Sequence, residues 1–369
     1  MKVLVTGGAG FIGSHIVEDL LAGGADVRVL DSFDAAAHGD GGGPGPSTSG
    51  LDGRAELTVG NVADAAVVAA AVSGVDAVCH QAAKVGLGVN FGDARGYVES
   101  NDVGTVALLE ALWRRDFRGR LILASSMVVY GDGRAFCPEH GVVAPAPRRR
   151  LDLDVGRFEP GCGVPGCPLP VDWVAVDESA PLDPRNVYAA TKVHQEHLCQ
   201  LWGAESGATV VALRYHNVFG PRMPRDTPYA GVASIFRSAL AAGKSPQVFE
   251  DGGQTRDFVH VRDVARANVL ALTTSDIESG PLNIGSGQPH TVGEMAAALA
   301  RAGGGGDRPG LRPVVTGAWR RGDVRHIVAS SARAAEVLGF EAQVGFEEGL
   351  AEFARAPQRG SVGPAPVTS

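Results

Sequence analysis

The chain lacks any block of lysine or arginine longer than the three arginines at 148 to 150. Its 33 basic residues stand against 41 acidic ones, a formal charge of −8. That balance argues against a nucleic-acid or anionic-membrane partner and leaves the cations to serve one small anion. Long apolar runs are missing too. None reaches bilayer-spanning length, and the first, VLVTGGAGFIG, is interrupted by glycines where a signal peptide would be continuous, so a cytosolic protein is expected. Cysteine is sparse. Of five, Cys79 falls in an expected strand and Cys199 in an expected helix, where each reads as a small buried apolar residue, and only Cys137, Cys162 and Cys167 cluster. The run HGDGGGPGPSTSG at 38 to 50 has nothing to bury and reads as a mobile loop without a chemical role, as does the tail from about Ala356.

What is present is a 44% apolar composition over 369 residues, enough for one large α/β domain or two smaller ones. Short apolar runs alternate with helical periods: KVLVT, a helix from Phe11, DVRVLD, AELTV, a helix from Asp64, DAVCHQ, a helix from about Val98, and RLILASS. That alternation predicts an α/β fold of Rossmann type, a doubly wound parallel sheet with helices on both faces. After Tyr188 come another helix, the strand TVVALRY and a more broken stretch to about Phe346, as expected of a smaller C-terminal lobe.

TGGAGFIG follows a strand and opens a helix, with Gly7, Gly10 and Gly13 where the turn is tight and where backbone approaches a pyrophosphate at the helix N-terminus. Asp31 ends the second strand, where a carboxylate accepts both hydrogens of an adenosine ribose diol. It would repel a 2′-phosphate, and the following SFDAAAH offers no arginine or lysine, so NAD is favoured over NADP. GNVAD places Asn61 and Val62 against an adenine, and HQAAK supplies small residues and Lys84 near the nicotinamide ribose. In YAATK one helical turn puts Lys192 on the face of Tyr188, and its charge is expected to lower the phenol's pKa so that a phenolate serves as base near neutral pH.

Together TGGAGFIG, HQAA, SSMVVYG, YAATK, RYHNVFGPR, RDFVHVRDVARA and RRGDVRH resemble the extended short-chain dehydrogenase/reductases that act on nucleotide sugars, over residues 1 to about 350. The resemblance implies an NAD-binding domain at 1–187, the last Rossmann elements with a nucleotide-sugar lobe at 188–355, and a tail at 356–369. It assigns Ser126 to the catalytic hydroxyl position beside Tyr188 and Lys192. It implies further cofactor contacts from Phe11, Ile12, Ser32, Gln81, Ala82 and Ala83, and from Asn101, Tyr215 and Val218. For the substrate it implies Asn217, Arg256 and Arg320 at the two phosphates, Asp323 at the sugar or ribose, Phe249 stacked on the uracil or thymine, and Gly86 and Val232 in the pocket. Arginine suits phosphate because its planar fork makes paired hydrogen bonds. A homodimer through helices at about 98–114 and 187–206 is implied as well.

Family members begin by oxidising a sugar hydroxyl and differ in the fate of the ketone. The 4,6-dehydratases need an Asp-Glu pair directly after the catalytic Ser/Thr, and here those positions are Met127 and Val128, which transfer no protons. The simplest outcome is 4-epimerisation of a dTDP- or UDP-linked sugar through a 4-keto intermediate. Decarboxylation and keto reduction stay open, because the pocket around VGLGVN and RMPRDTPYAGV cannot be read for shape. An NAD-sensing regulator is the non-enzymatic alternative, disfavoured because such relatives commonly lose the tyrosine or lysine.

Ser126 and Tyr188 are separated by 62 positions, an insertion relative to the family at 132–178. It carries Cys137 and His140 in CPEH and Cys162 and Cys167 in CGVPGC, two pairs suited to a tetrahedral structural zinc that would fold a segment poor in apolar residues. A Cys162–Cys167 disulfide and free thiols are the alternatives. A cysteine-bearing insertion at this place also resembles bacterial epimerases of dTDP-deoxysugars. It is expected to tune the substrate entrance or an interface and to take no part in the chemistry.

Overall fold

Seven runs rich in branched aliphatic residues form one wholly parallel sheet in the computed structural model, which describes residues 1–34, 38, 51–86, 91–225, 231–304, 308–320 and 322–357. The strands are β1 (Lys2–Thr6), β2 (Asp26–Asp31), β3 (Glu56–Val59), β4 (Ala77–His80), β5 (Arg120–Ser126), β6 (Thr209–Tyr215) and β7 (Gly280–Ile284), in the order β7-β6-β5-β4-β1-β2-β3. The order reverses between β1 and β4, which opens a crevice at their carboxyl ends. β5 and β6 pair from Arg120 opposite Thr209 to Ser126 opposite Tyr215. Among the described residues no helix is long and apolar enough to cross a membrane.

Strand periodicity sends alternate residues to opposite faces, and both faces are buried. Val3, Val5, Val29, Ile122 and Val211 pack in one cluster with Ile16, Leu20, Val264 and Ala267 of the helices Phe11–Ala22 and Val261–Thr273. Leu4, Leu30, Val78, Leu121 and Val210 pack on the other face with Val68, Leu108 and Cys199 of the helices Ala65–Ala71, Gly104–Trp113 and Val187–Ser206. Cys79 and Cys199 are both fully buried and free.

The helix expected from about Val98 starts earlier, at Ala94–Tyr97, continues through a π-helical turn at Val98–Val103 and resumes at Gly104–Trp113. Its first turns bury Tyr97 alone and carry an exposed Arg95–Glu99 pair one turn apart at 2.7 Å, so they show no apolar period.

A third cluster of Phe219, Phe236, Phe258, Met295, Leu299 and Phe353 forms the smaller lobe, between the helices Val232–Ala241, Val292–Ala302 and Phe346–Arg355. The insertion folds as a three-stranded antiparallel sheet of Arg134–Cys137 flanked by Gly141–Val143 and Asp172–Val174. Residues 39–50 of the glycine-rich run, 358–369 of the tail, 87–90, 226–230 and Arg321 lie outside the described residues, so the expectations placed on them have no structural counterpart.

Candidate active site

The loop after β1 turns at Gly7, with φ of +67°, and a Cβ there would lie 2.7 Å from the Ala82 amide nitrogen. At Gly13 a Cβ would collide with the Gly7 carbonyl oxygen, so only glycine lets the helix start this close to the strand. Gly10 precedes Phe11 and Ile12 and caps the helix with no side-chain bond, which leaves first-turn amides facing the crevice for an anion. These residues fit a dinucleotide pyrophosphate.

Asp31 ends β2 buried, its Oδ2 accepting from the Ala9 amide at 2.9 Å and its Oδ1 from the Phe33 amide at 2.8 Å. His38 stands 3.3 Å from Oδ1. Burial works to raise the carboxyl's pKa, but the bonds from His38 and the two amides outweigh it and hold it below the usual range. The run from His38 was expected to have no role, and its first residue corrects that: His38 supplies a partner for Asp31 next to the exposed Ser32. Asn61 Oδ1 accepts from the Ala63 amide, and Val62 is buried where Gly104 leaves room for it.

Beyond β4, Gln81 Nε2 donates to Asn268 Oδ1 at 3.1 Å, and the Tyr215 hydroxyl shares its proton between Gln81 Oε1 and Asn268 Oδ1. The Ala82 amide donates to Thr6 Oγ1, and Ala83 is half-buried beside it. Asn101, within the π-helical turn, accepts from the Lys84 amide at 2.7 Å, donates to the Lys84 carbonyl at 3.0 Å and donates to Thr191 Oγ1 at 2.9 Å. One side chain thus ties the β4 loop to the helix Val187–Ser206. Gly86 accepts from the Tyr97 hydroxyl at 2.7 Å, and Tyr97 lies 6.0 Å from Tyr188 between ring centres.

Asn186 caps that helix through the Ala189 amide and sets Tyr188 in its first turn. Lys192 follows one turn on, its Nζ donating to the Ala124 carbonyl at 2.8 Å and lying 5.9 Å from the Tyr188 ring centre. Ser126, at the end of β5, stands close enough to the phenol to oppose the effect of burial on it. The sequence thus brings Ser126, Tyr188 and Lys192 together. The expected lowering of the phenol pKa is corrected: burial pushes Tyr188 up to about 12, with only Ser126 opposing it. Burial also brings Lys192 down to about 8, against the pull of Cys199, Glu196 and Asp102.

Beneath this group lies a buried polar network that sequence reasoning missed. Arg214 donates to Glu196 at 2.9 and 2.7 Å and to the Tyr130 hydroxyl at 2.8 Å, Ser125 donates to Glu196, and Tyr130 donates to Asn283. It fixes β5, β6, β7 and the Tyr188 helix relative to one another.

On the lobe side, Asn217 and Val218 leave β6 half-buried, and among the described residues the side-chain oxygen of Asn217 and both ring nitrogens of His216 are buried without partners. Val232 opens its helix half-buried. Arg256 donates to the carbonyls of Thr255, Arg325 and Val324, so its fork is turned to backbone and not outward. Arg320 is exposed and lies 4.6 Å over one face of the Phe249 ring. Burial raises the Asp323 carboxyl, with Arg256 and Arg320 opposing.

The insertion reaches this region with groups that sequence reasoning also missed. Arg148 donates to Glu250 Oε1 at 2.7 Å and to the Asp323 carbonyl at 2.5 Å. Arg325 pairs with Glu250 Oε2 at 2.8 Å and with Glu159, and His326 meets Glu159 Oε2 at 2.8 Å. The only signal was the position of Glu250 next to Phe249. Cys137, His140, Cys162 and Cys167 offer ligand atoms that all lie within 4.8 Å of one another, and all three cysteines are free, with no Cys162–Cys167 bond.

The model of the NAD dependent epimerase/dehydratase family matches residues 3–149 and 170–285. The chain is 33% identical over 356 residues to the dTDP-L-rhamnose 4-epimerase of Burkholderia thailandensis, covering 95% of this chain and 93% of that one. It is similar to the solved UDP-glucose 4-epimerase of Thermus thermophilus in complex with NAD, at 31% identity and a TM-score of 0.73 over 96% of this chain and 98% of the other. It is also similar to a dTDP-glucose 4,6-dehydratase of Streptomyces venezuelae with NAD bound, at 28% identity and a TM-score of 0.74 over 96% of each chain.

Proposed function

The chain belongs to the NAD dependent epimerase/dehydratase family, and from that premise we propose that it is a cytoplasmic NAD-dependent 4-epimerase of a dTDP- or UDP-linked hexose. The observation that carries this reading is the pairing of Tyr188 and Lys192 on one helix at the end of the strand that carries Ser126, in a chain whose first strand opens a glycine-lined helix with no side-chain cap, and with Met127 and Val128 where a dehydratase needs an acid and a base.

NAD, when bound, supplies a reversible hydride acceptor. Tyr188 takes the proton of the sugar hydroxyl while Ser126 holds that oxygen, and the C–H hydride leaves the same carbon, so a ketone results. Lys192 places a buried positive charge near the phenolate. With no second acid beside Ser126, the proton returns from Tyr188 and the hydride returns to the other face of the ketone. The phosphate loop, Asp31, Asn61, Val62, Lys84 and Asn101 hold the dinucleotide in this reading. Asn217, Arg256, Arg320, Asp323 and Phe249 serve the nucleoside diphosphate, Arg256 by holding the 323–325 backbone. Zinc at the cysteine–histidine cluster is structural. A homodimer is supported by exposed Val98, Val103, Val106, Trp113 and Leu201 along the expected helices.

The test is incubation with a panel of UDP-, dTDP- and GDP-sugars followed by NMR of the products. Inversion at C4 of one dTDP- or UDP-sugar is expected. Loss of the 4-hydroxyl with a new 6-methyl group, or release of carbon dioxide, would replace this reading with dehydration or decarboxylation.

A further inference from the structure

Of the separations among the four potential ligand atoms of the insertion, which all lie within 4.8 Å of one another, three match the edges of a metal tetrahedron. Bonds of about 2.3 Å to sulfur and about 2.0 Å to nitrogen give tetrahedral edges of about 3.8 Å between sulfurs and about 3.5 Å between sulfur and nitrogen. Cys137 Sγ lies 3.9 Å from Cys167 Sγ and 3.5 Å from His140 Nδ1, and Cys162 Sγ lies 3.8 Å from the same nitrogen. The Val164 backbone amide also donates to Cys162 Sγ at 3.5 Å, a contact that favours the thiolate a metal requires. Three thiolates and one imidazole, with no fifth position offered, suit zinc in a closed structural role.

What the cluster encloses gives it a purpose. Arg148 and Glu159 lie in the loop between His140 and Cys162, and they are the residues whose charged side chains pair that loop with Glu250 and Arg325 of the smaller lobe, beside the backbone pairing of Val176 with residues 328–330. Arg148 holds the Asp323 carbonyl from one side while Arg256 holds the next two carbonyls from the other. The segment so clamped begins at Asp323, whose amide bonds to the Arg320 carbonyl.

We infer that zinc bound by Cys137, His140, Cys162 and Cys167 fixes the Arg148–Glu159 loop against the lobe, making Arg148 a positioning residue for the nucleoside diphosphate. The inference rests on the reading of that lobe as the nucleotide-sugar site. The metal orders the loop, Arg148 presets the 323–325 segment, and the nucleotide meets a formed site.

Elemental analysis of the purified full chain is expected to give about one zinc per chain. Cobalt replacement is expected to give the strong visible bands of tetrahedral thiolate coordination. Cys162→Ser/Cys167→Ser should lose the metal, and Arg148→Met should keep it. In both, calorimetry with dTDP and UDP should show affinity reduced at least about tenfold while NAD binding, the control for folding, is unchanged. Epimerase turnover should suffer mainly in KM. A chain grown with ample zinc that carries none, and shows no cobalt bands, overturns the metal site. Zinc present with unaltered dTDP and UDP affinity in both variants overturns the positioning role. A wild-type chain that binds neither nucleotide overturns the nucleotide-sugar reading, and the positioning role with it, while the metal assay still decides the cluster.

Discussion

Lys192 donates its ammonium proton to the Ala124 carbonyl and stands 5.9 Å from the centre of the Tyr188 ring, so the two groups face each other without touching. Burial dominates both, pushing the phenol further up and making the ammonium easier to lose. Tyr188→Phe is expected to cut turnover by roughly 10²- to 10⁴-fold with NAD and nucleotide affinity nearly unchanged. Wild-type turnover in that variant would sink the assignment.

An epimerase returns the hydride it takes. NAD is expected to copurify with the chain, and turnover should need no added NADH. Absorbance at the NADH band during the reaction checks this, and stoichiometric accumulation would point to a dehydrogenase or decarboxylase.

Glu196 and Arg214 form a salt bridge whose side chains are 1% and 4% exposed. Glu196→Ala leaves the guanidinium buried with only Tyr130 and the Glu178 carbonyl as partners, and is expected to cost about 3–5 kcal/mol of stability. Urea unfolding at neutral pH measures it. A loss under about 1 kcal/mol would mean that water reaches the network.

Three buried histidines give the chain an acid-sensitive side. Burial depresses His80 and His216 to about 3 and His260 to about 4, from an ordinary 6.5. Below 6.5 the unfolded chain binds protons that the folded chain refuses, so stability rises with pH in that window and falls on acidification, by about 1.4 kcal/mol per pH unit for each histidine. Asp257 and Asp323, raised by burial, act in the opposite sense. The urea midpoint should therefore fall from pH 7 to pH 5, and His216→Phe should flatten that fall. An equally steep decline in the variant would remove His216 from the account.

The strands and the placement of Tyr188 beside Lys192 were legible because their determinants are local. RLILASS is a continuous buried strand, and Tyr188 and Lys192 are one helical turn apart on any helix. Residues set by distant partners were not. Nothing near Arg148 shows that its carboxylate is Glu250, 102 positions away, and nothing near His38 shows that it folds back on Asp31. The π-helical turn was invisible because its cause is the fit of Asn101 between Lys84 and Thr191, not any feature of VESNDV itself. The phenol's pKa was misjudged because a sequence displays charge and conceals burial.

Glu250 answers Arg148 of the insertion and Arg325 of the smaller lobe with a single carboxylate that is 1% exposed. The insertion is for that reason no transferable cassette. Grafted onto a homologue without this glutamate, it would bring a buried guanidinium and no counter-charge; excised from this chain, it would leave Glu250 and Arg325 rebalanced around a void. The insertion and the QVFEDG segment are one electrostatic unit, and a graft of either needs the other to keep its charge paired.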